Sequence, residues 1–129
     1  MVVLGAIDLD NNGDLDIVTN DFNSEPQVLI SDLARVRNIR WVKVVLVGTK
    51  SNRNGLGATI RLHANSQTYI KYNDGKFGYL SQRVLPRYFG LGDATKIDSI
   101  EVNWPSGRKQ VVSKDLEENQ TLKISEPSM

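Results

Sequence analysis

Hydrophobic and polar residues alternate with a period of two along much of the chain, which is typical of β-strands that bury one face. The clearest examples are residues 58–64, 99–104 and 121–125. In residues 41–47 one face is wholly apolar and the other is mostly apolar. That pattern predicts a central strand covered on both faces. Helical periodicity is weak, and residues 31–38 are predicted to form a linker or a short helix.

Turn-forming residues separate these strands. The Asn-Ser pair at residues 65–66 predicts a tight hairpin. The sequence Trp-Pro-Ser-Gly-Arg at residues 104–108 predicts a second hairpin, in which the strand through Val102 returns through Val111. Short strands joined by polar turns predict an all-β fold, an antiparallel β-sandwich over about residues 38–126.

Charge divides the chain into two parts. The 129 residues carry 16 basic and 15 acidic side chains, for a net charge of +1. Residues 1–34 hold seven of the acids and no lysine or arginine, whereas residues 35–129 hold all the bases. The two parts therefore have net charges of −7 and +8. This asymmetry predicts two domains, residues 1–34 and 35–129, with different roles.

Composition excludes several classes of function. Without cysteine, and with a single histidine, the chain cannot form a disulfide framework, a thiolate zinc site or a multi-histidine metal site. No apolar segment approaches the ~20 residues of a membrane-spanning helix, so membrane insertion is not expected. The basic residues are scattered and form no nucleic-acid-binding motif. Nothing in the spacing of Ser, His and Asp resembles a nucleophile elbow, so we expect no enzymatic activity.

An acidic segment near the start of the chain has the spacing of a calcium-binding loop. Its sequence is Asp-Leu-Asp-Asn-Asn-Gly-Asp-Leu-Asp, at residues 8–16. Oxygen-bearing side chains occupy positions one, three, five and nine, glycine occupies the sixth position, and the seventh would coordinate through its backbone carbonyl. The predicted ligands of Ca²⁺ are Asp8, Asp10, Asn12, Asp14 and Asp16.

The segment is not an EF-hand. Position twelve is Thr19 instead of a bidentate glutamate, and residues 15–19 favour a strand over a helix. Magnesium is a weaker interpretation than calcium, because nothing here supplies phosphates to complete its coordination shell. The alternative to a metal site is a solvated acidic turn, since Asp, Asn and Gly are common in turns.

Together with residues 5–6 before it and 17–20 after it, this loop resembles the calcium-binding half of an FG-GAP/VCBS repeat. Such repeats form blades of β-propellers. The resemblance covers about residues 1–32, which is less than one blade. It implies a partial propeller repeat in residues 1–34, Ca²⁺ as its cofactor, and further repeats upstream in a longer parent protein.

The remainder, about residues 39–125, resembles the ASPIC/UnbV domain of the cartilage acidic protein-like family. The matching motifs are Val-Gly-Thr-Lys-Ser-Asn-Arg-Asn-Gly-Leu-Gly-Ala at 47–58, Gly-Tyr-Leu-Ser-Gln at 78–82, Phe-Gly-Leu-Gly-Asp-Ala at 89–94, Trp-Pro-Ser-Gly at 104–107 and Asn-Gln-Thr-Leu at 119–122. The resemblance implies a β-sandwich in an extracellular, cell-surface or periplasmic protein. The apolar residues 1–7 are too short to be a signal peptide.

Four residues of these motifs are candidates for contacting a ligand: Asn52, Arg53, Tyr79 and Gln82. The alternative for the first two is a structural loop whose side chains cap its own backbone, and for Tyr79 it is a core anchor. We expect a non-enzymatic, calcium-binding module for adhesion, matrix or glycan recognition, whose partner is a glycan or an extracellular protein. A carbohydrate-binding accessory module of a larger enzyme and a purely structural spacer are the alternatives.

Overall fold

The computed structural model describes residues 2–76 and 86–128, which form two units. The first unit comprises residues 2–39 with Lys76, and the second comprises residues 40–75 together with residues 86–128. Strands make up nearly all the secondary structure, which confirms the all-β prediction. Within the described residues, no helix has both the length and the apolar character needed to cross a membrane.

The first unit is a three-stranded antiparallel sheet followed by one helical turn. Strand β1 (Val2–Ile7) pairs with β2 (Asp16–Asp21), and β2 pairs with β3 (Gln27–Leu29). The acidic residues 8–15 form the connection between β1 and β2. The turn of helix is α1 (Leu33–Val36), one of the two structures predicted for this segment.

The second unit is a sandwich of two sheets. Its strands are β4 (Trp41–Val47), β5 (Thr59–Ala64), β6 (Gln67–Tyr72), β7 (Arg87–Gly90), β8 (Ile97–Asn103), β9 (Lys109–Val112) and β10 (Gln120–Ser125). One sheet has the order β10-β4-β7 and the other has the order β6-β5-β8-β9. The central position of β4 confirms the prediction, although only one of its faces is fully buried. Unlike the antiparallel arrangement expected, β10 runs parallel to β4.

The core lies between these two sheets. Alternate residues of the facing strands are buried and join one hydrophobic cluster. The strand residues of this cluster include Val42, Val44, Leu46, Ile60, Leu62, Phe89, Ile100 and Val102. Full burial of one such side chain stabilises the folded state by about 1.5–3 kcal/mol. The period-two pattern therefore decides which face of each strand turns inward.

Both predicted hairpins are present. Residues 65–66 connect β5 to β6 with φ angles of 46° and 66°, the sign combination that a type I′ turn requires. Gly107, with φ of 89°, lies in the turn between β8 and β9 and donates its N–H to the carbonyl of Trp104 at 2.9 Å. These turns fix the register of β6 against β5 and of β9 against β8.

Two glycines with similar backbone conformations differ in the space around them. Gly55 has a φ of +62°, and a Cβ there would lie 2.9 Å from the Cβ of Leu46 and 3.2 Å from the ring of Trp104. Gly92 has a φ of +58°, and a Cβ there would meet nothing within 4 Å. Comparing alanine substitutions at the two positions therefore separates the free-energy cost of the left-handed backbone from the cost of crowding the core.

We expect Gly55→Ala to lower the free energy of unfolding by about 1–3 kcal/mol more than Gly92→Ala does, because only the first variant places a methyl group in packed space. Both variants carry the penalty of about 1–2 kcal/mol for a left-handed residue with a Cβ. Urea unfolding of the two variants and the wild type measures the difference. Equal losses would show that the space beside Gly55 is not close-packed.

Candidate functional site

The loop between β1 and β2 brings three carboxylates together. One side-chain oxygen from each of Asp8, Asp10 and Asp16 lies within 4.8 Å of the other two. Asp8 and Asp16 are buried, whereas Asp10 is exposed. Asp8 directly follows β1 and Asp16 begins β2, so pairing of the two strands holds the buried carboxylates side by side. The loop then returns Asp10 to them.

Backbone N–H groups of the loop donate to the two buried carboxylates. Gly13 donates to Oδ2 of Asp8 at 3.0 Å, and Leu9 donates to Oδ2 of Asp16 at 2.8 Å. Gly13 has a φ of 98°, so the sharp turn falls at the position where the loop pattern predicts it. These bonds partly offset the negative charge and fix the orientation of both carboxylates.

The other two predicted ligands have different surroundings. The amide of Asn12 donates to Oδ2 of Asp10 at 3.1 Å, and its Oδ1 accepts the N–H of Asp14 at 2.9 Å. The carboxylate of Asp14 is only 2% exposed, and its Oδ2 accepts the N–H of Ala34 in α1 at 2.8 Å. It does not join the three-carboxylate cluster, and coordination through the Asp14 carbonyl stays a prediction.

A contact that the sequence did not predict links the loop to the segment after β3. Oδ1 of Asp16 accepts the N–H of Ser31 at 2.9 Å, and this bond lies beside the one from Ala34 to Asp14. The partners are 15 and 20 residues apart along the chain. The spacing of residues within the loop does not predict these two hydrogen bonds, because Asp14 and Asp16 have the sequence pattern of metal ligands or surface charges.

The three-carboxylate cluster fits a hard cation. Two like charges 4 Å apart repel by about 1 kcal/mol in water and about 4 kcal/mol at an effective dielectric constant of 20. Ca²⁺ binds oxygens at 2.3–2.6 Å, so ligands on opposite sides of the ion are about 4.8 Å apart. The oxygens of Asp8, Asp10 and Asp16 lie within that separation. They could therefore share one cation.

In the second unit, the predicted contact residues Asn52 and Arg53 lie in the exposed part of the β4–β5 loop, residues 48–58. Oδ1 of Asn52 accepts the N–H of Leu56 at 2.8 Å, and its Nδ2 donates to the Leu56 carbonyl at 2.7 Å. This is the self-capping arrangement of the structural alternative. A ligand role for Asn52 and Arg53 stays a prediction, and Tyr79 and Gln82 lie outside the described residues.

A buried carboxylate at the end of the chain holds the same loop. Glu126 is 2% exposed, and its Oε2 accepts the N–H groups of residues 49, 50 and 51 at 2.8, 2.9 and 2.8 Å. Its Oε1 accepts the hydroxyl groups of Ser51 at 3.0 Å and Ser106 at 2.5 Å. Three consecutive loop amides thus obtain an acceptor from one side chain.

These contacts make Glu126 strongly acidic. Burial acts to raise the pKa of Glu126, but hydrogen bonds from Ser106, Ser51 and Thr49 outweigh it and lower the pKa from 4.5 to about 2. Sequence reasoning missed this residue, because a glutamate between serine and proline near the chain end has the local pattern of a solvated tail. The loop that carries Asn52 and Arg53 depends on it.

The fold and the acidic loop define a class of protein: an all-β module in which a hairpin with an acidic loop precedes a β-sandwich in the chain. The family described as ASPIC and UnbV matches residues 48–129. The chain belongs to this family. The match confirms the resemblance found for the second unit, and it does not include the residues assigned to an FG-GAP/VCBS repeat.

Two relatives show the same relationship. The chain is 31% identical to cartilage acidic protein 1 of Xenopus tropicalis over 108 residues, 81% of this chain and 16% of the relative. It is also 31% identical to human cartilage acidic protein 1 over 125 residues, 93% of this chain and 18% of the relative. The human alignment therefore reaches into the acidic first unit. The chain spans less than a fifth of the length of either relative.

Glu126 predicts a specific pH dependence of stability. Its pKa in the folded protein, about 2, is below the ordinary 4.5, so its contribution is complete above about pH 4.5 and is lost as the pH falls toward 2. We expect Glu126→Gln to be less stable than wild type at pH 7, because a neutral amide oxygen accepts the loop N–H groups more weakly than a carboxylate does. The variant should also lose less stability between pH 4.5 and 2, because the amide does not titrate.

Urea unfolding at several pH values tests this prediction. Glu117→Gln, which alters an exposed side chain near the same end of the chain, is the matched control and should follow the wild-type curve. Equal stability of the two variants at pH 7 would contradict a structural role for Glu126.

Proposed function

We propose that this protein is a non-enzymatic, calcium-binding extracellular-type module in which the sandwich recognises a partner in adhesion, matrix or glycan binding. The observation that supports calcium binding is the convergence of Asp8, Asp10 and Asp16 oxygens within 4.8 Å. Asn12 and the carbonyl of Asp14 complete the proposed ligand set. Ca²⁺ takes six to eight oxygens in flexible geometry, which a loop with waters in the open positions supplies.

Calcium would act on more than the loop itself. Asp16 both belongs to the carboxylate cluster and accepts the N–H of Ser31. Neutralising the cluster would relieve repulsion between side chains that also anchor the segment after β3. The proposed role of the ion is therefore to rigidify the first unit from the β1–β2 connection to α1.

The setting of the module is inferred from its family. Membership of the ASPIC and UnbV family and similarity to cartilage acidic protein 1 support an extracellular, cell-surface or periplasmic location. Because the chain corresponds to 16–18% of those relatives, the role of the whole protein is part of the proposal. The same holds for the partial FG-GAP/VCBS repeat in residues 1–34 and for repeats upstream of it.

A structural spacer is the second candidate function. It is favoured by the contacts of Asn52, whose side chain caps its own loop, and by Glu126, which ties that loop to the end of the chain. A spacer predicts that the sandwich binds no ligand, whereas the recognition role predicts a saturable partner. The two candidates share the calcium site of the first unit.

Calorimetric titration with calcium tests the proposed site. We expect the full chain to bind Ca²⁺ with a Kd of about 0.1–1 mM, as extracellular modules do. At 10 mM calcium this binding would stabilise the protein by about 1.4–2.7 kcal/mol. Asp10→Asn should weaken binding by about tenfold or more, because the cluster loses one of its three carboxylates.

Glu25→Gln is the matched control, since it removes one exposed carboxylate from the same unit outside the cluster and should bind as wild type does. Circular dichroism of each variant verifies that the sheet is intact. If the wild type shows neither heat nor a thermal shift at 10 mM calcium, the calcium proposal fails.

A further inference from the structure

A small cavity opens in the second unit beside the β4–β5 loop. It has a volume of about 70 Å³ and is partly open to solvent. Its apolar walls include Val44, Leu46 and Leu56, and its polar side is formed by Asn54, Asn73 and Arg87. The residues that line the cavity belong to the second unit, whereas the carboxylate cluster belongs to the first unit.

Arg87 enters this cavity from β7. It pairs with Val44 of β4, and its side chain is only 13% exposed. Nε of Arg87 donates to Oδ1 of Asn73 at 2.9 Å. Asn73, itself 7% exposed, donates its Nδ2 to the carbonyls of Asn54 and Gly55 at 2.8 and 2.9 Å. The guanidinium is therefore held in place by a side chain whose own hydrogen bonds are made.

One end of the guanidinium lacks a hydrogen-bond acceptor. Nη2 of Arg87 is buried and donates to no acceptor in the part of the chain that the structure describes. The carboxylate of Asp74 lies 3.7 Å from it, an ion-pair contact longer than a hydrogen bond. Folded proteins rarely leave a buried charged donor unsatisfied. An acceptor brought by a ligand would complete this group.

The chemistry of the cavity favours an anionic group. A guanidinium forms charge-assisted hydrogen bonds with carboxylates and phosphates, and neutral hydroxyls accept from it more weakly. A single water needs about 10–15 Å³ of cavity volume. The cavity of about 70 Å³ therefore admits a carboxylate and the first atoms attached to it, but not a whole sugar. The second unit carries 12 basic and 8 acidic residues, a net charge of +4 that favours an anion.

We propose that the Arg87 cavity binds the carboxylate of an acidic sugar, a uronate unit of a glycan. The apolar walls would contact the C–H groups beside the carboxylate, while the rest of the ring stays at the solvent-exposed mouth near Asn54. Arg53, the exposed residue before Asn54, offers a second positive charge to the repeated carboxylates of an acidic glycan. The inference rests on the recognition role proposed for the sandwich and is independent of calcium.

The test is an NMR and calorimetric titration of the full chain in EDTA. Sodium glucuronate should bind with a Kd of about 1 mM, as expected for a ligand of this size, and shift the amide resonances of Asn54, Leu56 and Arg87. Glucose should cause no such shifts. Binding of glucose equal to that of glucuronate, or of acetate as tight as that of glucuronate, would overturn the proposal. A tripeptide that binds more tightly than glucuronate would also overturn it, by moving the ligand class to peptide carboxylates.

Variants identify the residue responsible. Arg87→Gln should weaken glucuronate binding by about tenfold or more, and Arg87→Lys, which keeps the charge without the fork, should also weaken it. Lys123→Gln removes an exposed positive charge from β10 and should bind as wild type does. If Arg87→Gln fails to fold, Arg87→Lys decides, and unchanged affinity there contradicts the proposal. Because EDTA removes calcium, failure here is distinguishable from failure of the calcium site.

Discussion

The backbone N–H groups of the loops need acceptors, and in both units buried carboxylates supply them. In the first unit Asp14 and Asp16 accept N–H groups from residues 31–34. In the second unit Glu126 accepts those of residues 49–51. Among the described residues, 31–34 and 49–51 belong to no strand, so the path of the chain there depends on the charged side chains. Acidic residues that a sequence presents as surface charge are here part of the framework.

This use of carboxylates bears directly on the proposed calcium site. Both oxygens of Asp16 accept a backbone N–H, one from Leu9 and one from Ser31. Each carboxylate oxygen has two lone pairs, so a ligand held by a hydrogen bond can still coordinate an ion. In the proposed site the hydrogen bonds would fix the ligands before an ion binds, as outer-shell contacts do at metal sites, and would thereby lower the ordering cost of binding.

Patterns within short segments of the sequence predicted the structural features that depend on neighbouring residues. Alternation located β4, β5 and β8, and turn residues located the two hairpins, because burial of one face and the φ angles of a turn depend on neighbouring residues. The parallel pairing of β10 with β4 was not predictable, since it joins strands distant in the sequence. Glu126 was missed for the same reason: its loop partners lie 75–77 residues away.

Arg87 shows which sequence signal identifies a site of this kind. Sequence reasoning selected Asn52 and Arg53 because they are polar residues of a family motif, yet Asn52 uses its amide within its own loop. Arg87 and Phe89 are two residues apart in β7, so alternation assigns an arginine to the same face as a buried aromatic residue. An arginine side chain on the buried face of a strand needs hydrogen-bond acceptors on that face. Asn73 accepts from Nε, the Asp74 carboxylate lies 3.7 Å from Nη2, and no described acceptor lies within hydrogen-bond distance of Nη2, which is the basis of the proposed carboxylate site.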